Sequence, residues 1–294
     1  MSKKLAIDIG YGDTKVCIAS GKYLKFPTAI SKQAESQADF AKPHGHIYNG
    51  IRYNIGKTAS MDAVTTRGFD FLVKYSPLIA FHAFGEDMQG AELVTGLSIV
   101  NWNERQRYFN ALSKIVVDDK VVIPSKIILL AQGQGVMNLY KGNATGLVCV
   151  VDIGYNTFDF LVFENGKPRA DLSFATKQGT NKIITDLQSL IQKRYNFELS
   201  EQDVKSVFEK KEMQIYGDRI DLSDHISSQL DFYTDFVINE IKSKRLDIVK
   251  QANKVIFAGG GAYYLRGKLL PGNTVFTEKP YEFSNVRGYY DYKK

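Results

Sequence analysis

Two aspartates, each near the end of an apolar run and each followed by a small turn, carry the first chemical signal in this chain. Asp8 lies in Leu5-Ala-Ile-Asp-Ile-Gly-Tyr-Gly-Asp-Thr-Lys, and Asp152 in Val148-Cys-Val-Val-Asp-Ile-Gly-Tyr-Asn-Thr. A glycine-rich turn exposes successive backbone N–H groups and lets a ligand approach the main chain closely. Gly10 and Gly12, with Tyr11, Asp13 and Thr14 around them, therefore have the composition of an anion cradle. Lys15 adds a mobile positive charge for a phosphate oxygen. Asp8 is placed to hold Mg²⁺ through water, since that ion keeps most of its hydration shell.

Taken alone, the first turn reads equally well as an ordinary tight turn. The second changes that balance, because Asp152, Gly154, Tyr155, Asn156 and Thr157 repeat the pattern about half a chain-length later. Two such turns can clamp one polyphosphate from opposite sides, with both aspartates flanking the metal. A third element, Gly259-Gly260-Gly261-Ala262 followed by Tyr263, offers a close-approach platform for a flat base; by itself it is also compatible with a plain loop.

Hydrophobic patterning supplies the elements that must position these turns. Strands are predicted over 5–10, 14–19 and 22–27, and a hairpin over 48–55 whose Asn49-Gly50 is a strong two-residue turn signal. A helix is expected over 103–115, and a strand over 126–130 that leads through Gln132-Gly-Gln-Gly into another helix. The second half opens with strands at 147–153, 158–163 and 168–174. From Asn181 a helix sets Ile183, Ile184, Leu187, Leu190 and Ile191 on one face. Ser200 before an acidic first turn reads as the cap of a helix over 201–216. One long helix is expected over 224–250, then a strand at Lys254–Ala258. Strands followed by helices, twice over, make an α/β chain.

Composition narrows the function. The 294 residues allow two ordinary domains, and 44% hydrophobic with 24% charged residues is ordinary for a globular protein. The net charge is +6, yet no run of five basic residues occurs, so a solvated basic surface is expected and direct nucleic-acid binding is not. No apolar run has bilayer length and no signal-peptide core opens the chain, so it reads as cytoplasmic, with no membrane partner. Cys17 and Cys149 read as small buried hydrophobes, and His44-x-His46 beside Pro43 and Gly45 as a surface loop. Trp102, Tyr108 and Phe109 read as core.

DIGYGDTK, DIGYNTFD and IFAGGGAYYL resemble the two phosphate motifs and the adenosine motif of the actin, heat-shock chaperone and sugar-kinase superfamily. With NGIRYNIGKTA, LVTGLSIVNW, GQGVMNLY and the NVRGYY ending, the chain is most similar to ParM/StbA-type actin-like proteins over most of its length. The resemblance implies a duplicated ribonuclease-H-like fold, with two domains around a nucleotide cleft: 1–135 plus 276–294, and 136–275. It implies ATP, or GTP, with Mg²⁺, bound through the glycine-turn residues and Tyr263 named above, with Asp8 and Asp152 on the metal and in the catalytic set. The family's hydrolytic residue opens the interdomain helix; Gln134 matches it best and Gln132 is the alternative. A second connection is matched by Lys177-Gln-Gly179-Thr180-Asn181, where Gly179 would approach ribose or phosphate, or Thr180 or Asn181 would cap the helix. Lys205 and Glu209 stand as unassigned candidates for base contacts. Gly-Leu-Ser-Ile at 96–99 replaces the more usual Gly-Leu-Pro, and Gly133 stands where a proline is common.

The function implied is a slow nucleotide hydrolase that assembles head-to-tail into dynamic filaments and moves plasmid or similar DNA through a DNA-binding adaptor. A small-molecule kinase on the same fold, with Asp13 or Asp70 as base, and a non-polymerising scaffold are the alternatives.

Overall fold

A computed structural model describes residues 3–33, 45–59, 68–140, 142, 145–267, 269–270 and 274–293. The chain divides into two compact units, Met1–Lys141 with Glu282–Lys294, and Gly142–Tyr281. Both divisions fall a few residues later than the sequence boundaries at 135 and 275: the helix that starts at Gln134 packs on the C-terminal helix, and Thr274–Phe276 pairs with the strand Lys254–Ala258 of the second unit.

In chain order the elements begin β1 (Lys4–Ile9), β2 (Asp13–Ala19), β3 (Lys22–Pro27), β4 (Ile30–Lys32), β5 (His46–Tyr48), β6 (Ile51–Ile55) and α1 (Phe69–Phe84). There follow β7 (Glu92–Leu97), α2 (Arg105–Ser113), β8 (Ile115–Val117), β9 (Lys120–Val122), β10 (Lys126–Ala131) and α3 (Gln134–Leu139). The second unit contains β11 (Leu147–Ile153), β12 (Phe158–Glu164), β13 (Lys167–Pro168), β14 (Phe174–Thr176), α4 (Asn181–Tyr195) and α5 (Glu201–Lys210). It continues with β15 (Glu212–Ile215), β16 (Asp218–Asp221), α6 (Ser223–Gln251), β17 (Lys254–Ala258) and β18 (Thr274–Phe276), and α7 (Ser284–Tyr290) closes the chain.

The first unit is built on a sheet ordered β10-β7-β1-β2-β3, in which β10, β7 and β1 are parallel and β2 pairs antiparallel with both β1 and β3. Central strands covered on both faces need continuous apolar sequence, and β1 is buried from Leu5 onward. One face packs on α1 and α2 through Leu78, Ile79 and Tyr108. The other meets Val286 and Tyr289 of α7 and contains Cys17, a free buried thiol. The aromatic C-terminal segment is therefore docked. Helices α3 and α7 approach almost backbone to backbone: a Cβ on Gly288 would lie 1.7 Å from the Gly135 carbonyl oxygen.

The second unit repeats the plan. Its sheet runs β18-β17-β11-β12-β13, with β18, β17 and β11 parallel and β12 antiparallel to both β11 and β13. The sequence echo is thus a repeat of topology. Its core gathers Phe158, Phe160, Leu187, Ile191, Val237 and Ile241 between the sheet, α4 and α6, and includes Cys149, also free and buried.

Most predicted strands appear where patterning placed them, and Asn49 and Gly50 take the paired left-handed φ of 50° and 75° that the hairpin turn requires. Several expectations are corrected. The 168–174 strand is two short pieces, because Arg169 bonds Glu164 and Asp171 and its carbonyl accepts from Ser173 Oγ, which turns the chain. The 201–216 helix stops at Lys210, where Lys211 turns left-handed at φ 60° and the chain enters the β15–β16 hairpin. The 224–250 helix is interrupted at Arg245 (φ −147°), whose Nε donates to the Leu172 carbonyl at 2.5 Å. The helix over 103–115 begins as a 3₁₀ turn at Ile99–Glu104, with Ser98 Oγ accepting from Val100 N–H, and ends at Ser113.

His44 lies outside the described residues, and His46 is no loop residue. It opens β5, with Nδ1 2.7 Å from Asp118 Oδ2 and Nε2 3.2 Å from His82 Nδ1.

Candidate functional site

Each unit carries one of the glycine turns at the end of its central strand. In the first, Gly10 N–H donates to the Asp13 carbonyl at 3.2 Å and closes the β1–β2 turn. Thr28 N–H donates to the Gly12 carbonyl at 2.9 Å, and the buried Thr14 and Thr28 hydroxyls meet at 2.8 Å. A Cβ on Gly10 would lie 2.9 Å from the Asp13 carbonyl oxygen and 3.3 Å from Lys15 Nζ, so the lysine ammonium sits over the turn. Lys15 is also the ladder partner of Asp8. Tyr11 packs on the core, and burial pushes its phenol up to about 12 against the opposing effect of a hydrogen bond with Asn101.

Asp8 is 5% exposed, and its Oδ1 accepts from Gln132 Nε2 at 3.1 Å. Gln132 is held in turn by its N–H donating to the Leu97 carbonyl at 3.0 Å. Gly133 follows in the left-handed region at φ 87°, a conformation no proline reaches, and its N–H donates to Asn285 Oδ1 at 2.8 Å. Gln134 is then the first residue of α3.

The second unit repeats the closure: Gly154 N–H donates to the Thr157 carbonyl at 2.9 Å, and Asp152 is 6% exposed. The start of α4 reaches into this turn, with Gly179 N–H donating to Asn156, Thr180 N–H to Gly154 and Asn181 N–H to Tyr155, all at carbonyl oxygens. Those three N–H groups are thereby engaged within the protein. The Thr180 hydroxyl faces the Gly154 carbonyl and makes no side-chain cap. Gly179 allows this approach, since a Cβ there would lie 2.4 Å from the Tyr155 carbonyl oxygen.

The glycine run after β17 abuts the same aspartate. Gly259 has φ 82°, and a Cβ on it would meet Asp152 Oδ1 and the Ile153 carbonyl oxygen, each at 2.5 Å. Gly260 and Gly261 open a 3₁₀ turn that presents Tyr263. The Tyr263 ring lies 4.6 Å from that of Tyr281, which lies 5.6 Å from that of Phe276. Tyr281 N–H donates to the Tyr263 hydroxyl at 3.1 Å.

Sequence reasoning missed Tyr281 and Phe276; the aromatic-rich Phe276-Thr-Glu-Lys-Pro-Tyr-Glu-Phe283 was the available signal. It also missed Glu201, which accepts from the Tyr155 hydroxyl at 2.9 Å and pairs with Lys205 at 2.7 Å. Lys205 Nζ lies 4.2 Å above the Tyr155 ring, whereas Glu209 is exposed farther along α5.

Among the described residues no group of three His, Cys, Asp or Glu side chains is arranged for a metal. What each turn offers is one nearly buried carboxylate beside a tightly folded backbone, which fits an ion that keeps its water and takes phosphate oxygens, as Mg²⁺ does. Among the described residues no helix is long and apolar enough to cross a membrane.

The family described as actin-like proteins, N-terminal domain, matches residues 6–135, and that described as archaeal actin homologue MreB-like, C-terminal, matches residues 150–270. The chain belongs to the actin-like ATPase superfamily, and its duplicated two-domain α/β fold is the one those relatives share. The archaeal actin homologue Ta0583 is similar at 22% identity, over 99% of this chain and 98% of that one, with a TM-score of 0.81. A ParM of a 15-stranded filament from Clostridium botulinum is similar at 19% identity, over 99% of both chains, with a TM-score of 0.79. Ta0583 has also been crystallised in complex with ADP, in a structure similar at 22% identity over 99% of this chain and 98% of that one, TM-score 0.74. Among proteins of curated function, none matches the chain in sequence.

Proposed function

We propose that the chain binds Mg-ATP, each unit giving one glycine turn and one strand-end carboxylate to the same triphosphate, and hydrolyses it slowly while assembling into head-to-tail filaments. The observation that supports this best is the repeated turn: Gly10 to Asp13 and Gly154 to Thr157 are closed by the same hydrogen bond, each beside a nearly buried aspartate.

In this reading the turns at Gly10–Lys15 and Gly154–Thr157 receive the phosphates, and Lys15 neutralises a phosphate oxygen. Asp8 and Asp152 would hold a hydrated Mg²⁺, which would offset the negative charge of the phosphates. Gly259–Gly261 and Tyr263 receive the nucleoside. Gln132 fixes the Asp8 carboxylate, and Gln134 orients the attacking water. A neutral amide orients water without acting as a strong base, so turnover is slow and suits a timer.

Assembly is supported by the likeness to a ParM that forms filaments. A head-to-tail contact does not close on itself and so yields an open polymer. Plasmid or similar DNA, reached through a DNA-binding adaptor, is the proposed cargo.

High-speed pelleting and electron microscopy with ATP and Mg²⁺ test the proposal. Sedimenting filaments are expected. A soluble monomer across micromolar concentrations and several salts would remove the polymer while leaving nucleotide binding; calorimetry without heat of nucleotide binding would remove both.

A further inference from the structure

In the first unit, the turn between β8 and β9, the start of β5 and the last turn of α1 bring together three side chains that no step above uses. Asp118 and Asp119 take left-handed φ of 52° and 59°, the paired values that a two-residue turn between twisted strands requires. That turn clips onto β5: Asp118 N–H donates to the Ile47 carbonyl at 2.9 Å, and Ile47 N–H donates to Asp118 Oδ1 at 2.7 Å. The other carboxylate oxygen, Oδ2, accepts from His46 Nδ1 at 2.7 Å. On the far side of the His46 ring, Nε2 stands 3.2 Å from Nδ1 of His82. Phe26 packs against the His82 ring at 5.1 Å and Phe81 against the His46 ring at 5.5 Å.

The carboxylate sets the chemistry of this chain of contacts. Desolvation raises the Asp118 pKa, but His46, Ile47 N–H and the charge of Arg52 outweigh it, so Asp118 is ionised and only accepts. His46 therefore carries its proton on Nδ1 and a lone pair on Nε2. A carboxylate behind an imidazole in this way fixes the ring and makes its outer nitrogen more basic, as it does in metal centres. Crowding by its neighbours, with His46 second, lowers the His82 pKa below 6.5, so that ring too is neutral at pH 7. Two nitrogens each about 2.0–2.1 Å from a tetrahedral zinc ion stand about 3.4 Å apart, close to the separation here. Arg52 offsets Asp118, and Lys120 is paired with Glu86, so the imidazoles and not net charge must supply the affinity. Paired imidazoles suit zinc and its neighbours, whereas Mg²⁺ prefers oxygen.

We propose that His46 Nε2 and His82 Nδ1 form a two-histidine site for Zn²⁺, with Asp118 as the outer carboxylate and water completing the coordination. Without metal, His82 Nδ1–H donates to His46 Nε2. Zinc takes the place of that proton: the His82 ring, on an exposed side chain, tilts and carries its hydrogen on Nε2 instead. Asp118 lies behind His46 and is no third ligand, in keeping with the lack of a three-residue metal cluster among the described residues. The bound ion ties β5 to the end of α1.

The test adds zinc chloride to the EDTA-stripped, dialysed full chain in excess magnesium chloride, which occupies carboxylate sites, and follows the histidine ring nitrogens by proton–nitrogen correlation NMR. Saturable changes are expected at His46 Nε2 and His82 Nδ1 together, with a zinc-dependent rise in melting temperature. His82→Gln, its fold checked by melting in EDTA, is expected to lose both responses. Asp118→Asn is expected to bind zinc about tenfold to a hundredfold more weakly, as loss of an outer carboxylate does. The proposal is overturned if these two nitrogens show no saturable change, if only one of the two rings responds, if His82→Gln binds zinc as the parent does, or if Asp118→Asn keeps the parent affinity.

Discussion

Gln132 grips Asp8: its Nε2 donates to the carboxylate Oδ1 at 3.1 Å, joining the residue that follows β10 to the end of β1. The proposed function therefore gives different roles to two glutamines that sequence alone leaves as alternatives. Gln132→Ala is expected to weaken Mg-nucleotide affinity about tenfold, as loss of a hydrogen bond to a charged group does. Gln134→Ala is expected to keep that affinity and to slow phosphate release by about a hundredfold, the scale of losing one oriented donor. Isothermal titration and a phosphate-release assay on both variants check this. Unchanged release in Gln134→Ala would move the water-orienting role to Gln132.

Asp152 is pinned from one side by the glycine run. A Cβ on Gly259 would strike Asp152 Oδ1 at 2.5 Å, and the φ of 82° disfavours any side chain. Gly259→Ala is therefore expected to depress Mg-nucleotide affinity in parallel with Asp152→Ala. Gly68→Ala, where an added Cβ meets nothing within 4 Å and φ is negative, is the matched control and should bind as the parent does. Equal affinity in the Gly259 variant and the control would show that the carboxylate position is immaterial.

The α3–α7 contact is a packing limit. Gly288→Ala drives a Cβ to 1.7 Å from the Gly135 carbonyl oxygen, backbone against backbone, where neither side can yield cheaply. Overpacking of this kind costs about 1–3 kcal/mol or more. Urea unfolding of the full chain should show a lower midpoint for the variant, and an unchanged midpoint would refute so close a contact.

His82 sets an acid-sensitive window in the first unit. Although its edge is exposed, His82 is crowded by neighbouring groups, and that partial desolvation, seconded by the nearby His46, lowers its pKa below 6.5 in the last turn of α1, where the helix dipole favours the cation. Desolvation wins. Below pH 6.5 the unfolded chain binds a proton that the folded one refuses, so stability falls on acidification until the folded pKa is passed. Asp118, which burial alone would raise, is held below the usual carboxylate range by His46 and Ile47 N–H, so its contribution is lost only at lower pH. Melting temperature against pH should slope downward below 6.5 in the parent, and His82→Phe should flatten that upper window and leave the lower one.

The central strands were legible because β1 and β11 are nearly unbroken apolar runs ending in the same Asp-Ile-Gly-Tyr. Helix α1 was not read: Pro77 stands inside it, and Leu72, Tyr75, Leu78, Ile79 and Phe81 bury so much of its surface that no clean polar stripe marks the period. The β15–β16 hairpin was absorbed into a helix because Tyr216 occupies a left-handed turn position at φ 50°, where sequence signals favour Asn or Asp. At the site, the glycine turns were local and readable. The Gln132–Asp8 bond spans 124 residues and the Tyr263–Tyr281 pair depends on how the chain returns after β18, so both needed three dimensions.

Cys17 and Cys149 fall one to each unit, both in the sheet, and burial pushes their thiols up to about 11 and about 12. At neutral pH neither is a nucleophile while its own sheet stays closed. The protein thus comes with two native clocks: the order in which iodoacetamide reaches them, read by mass spectrometry, reports which half lets go first.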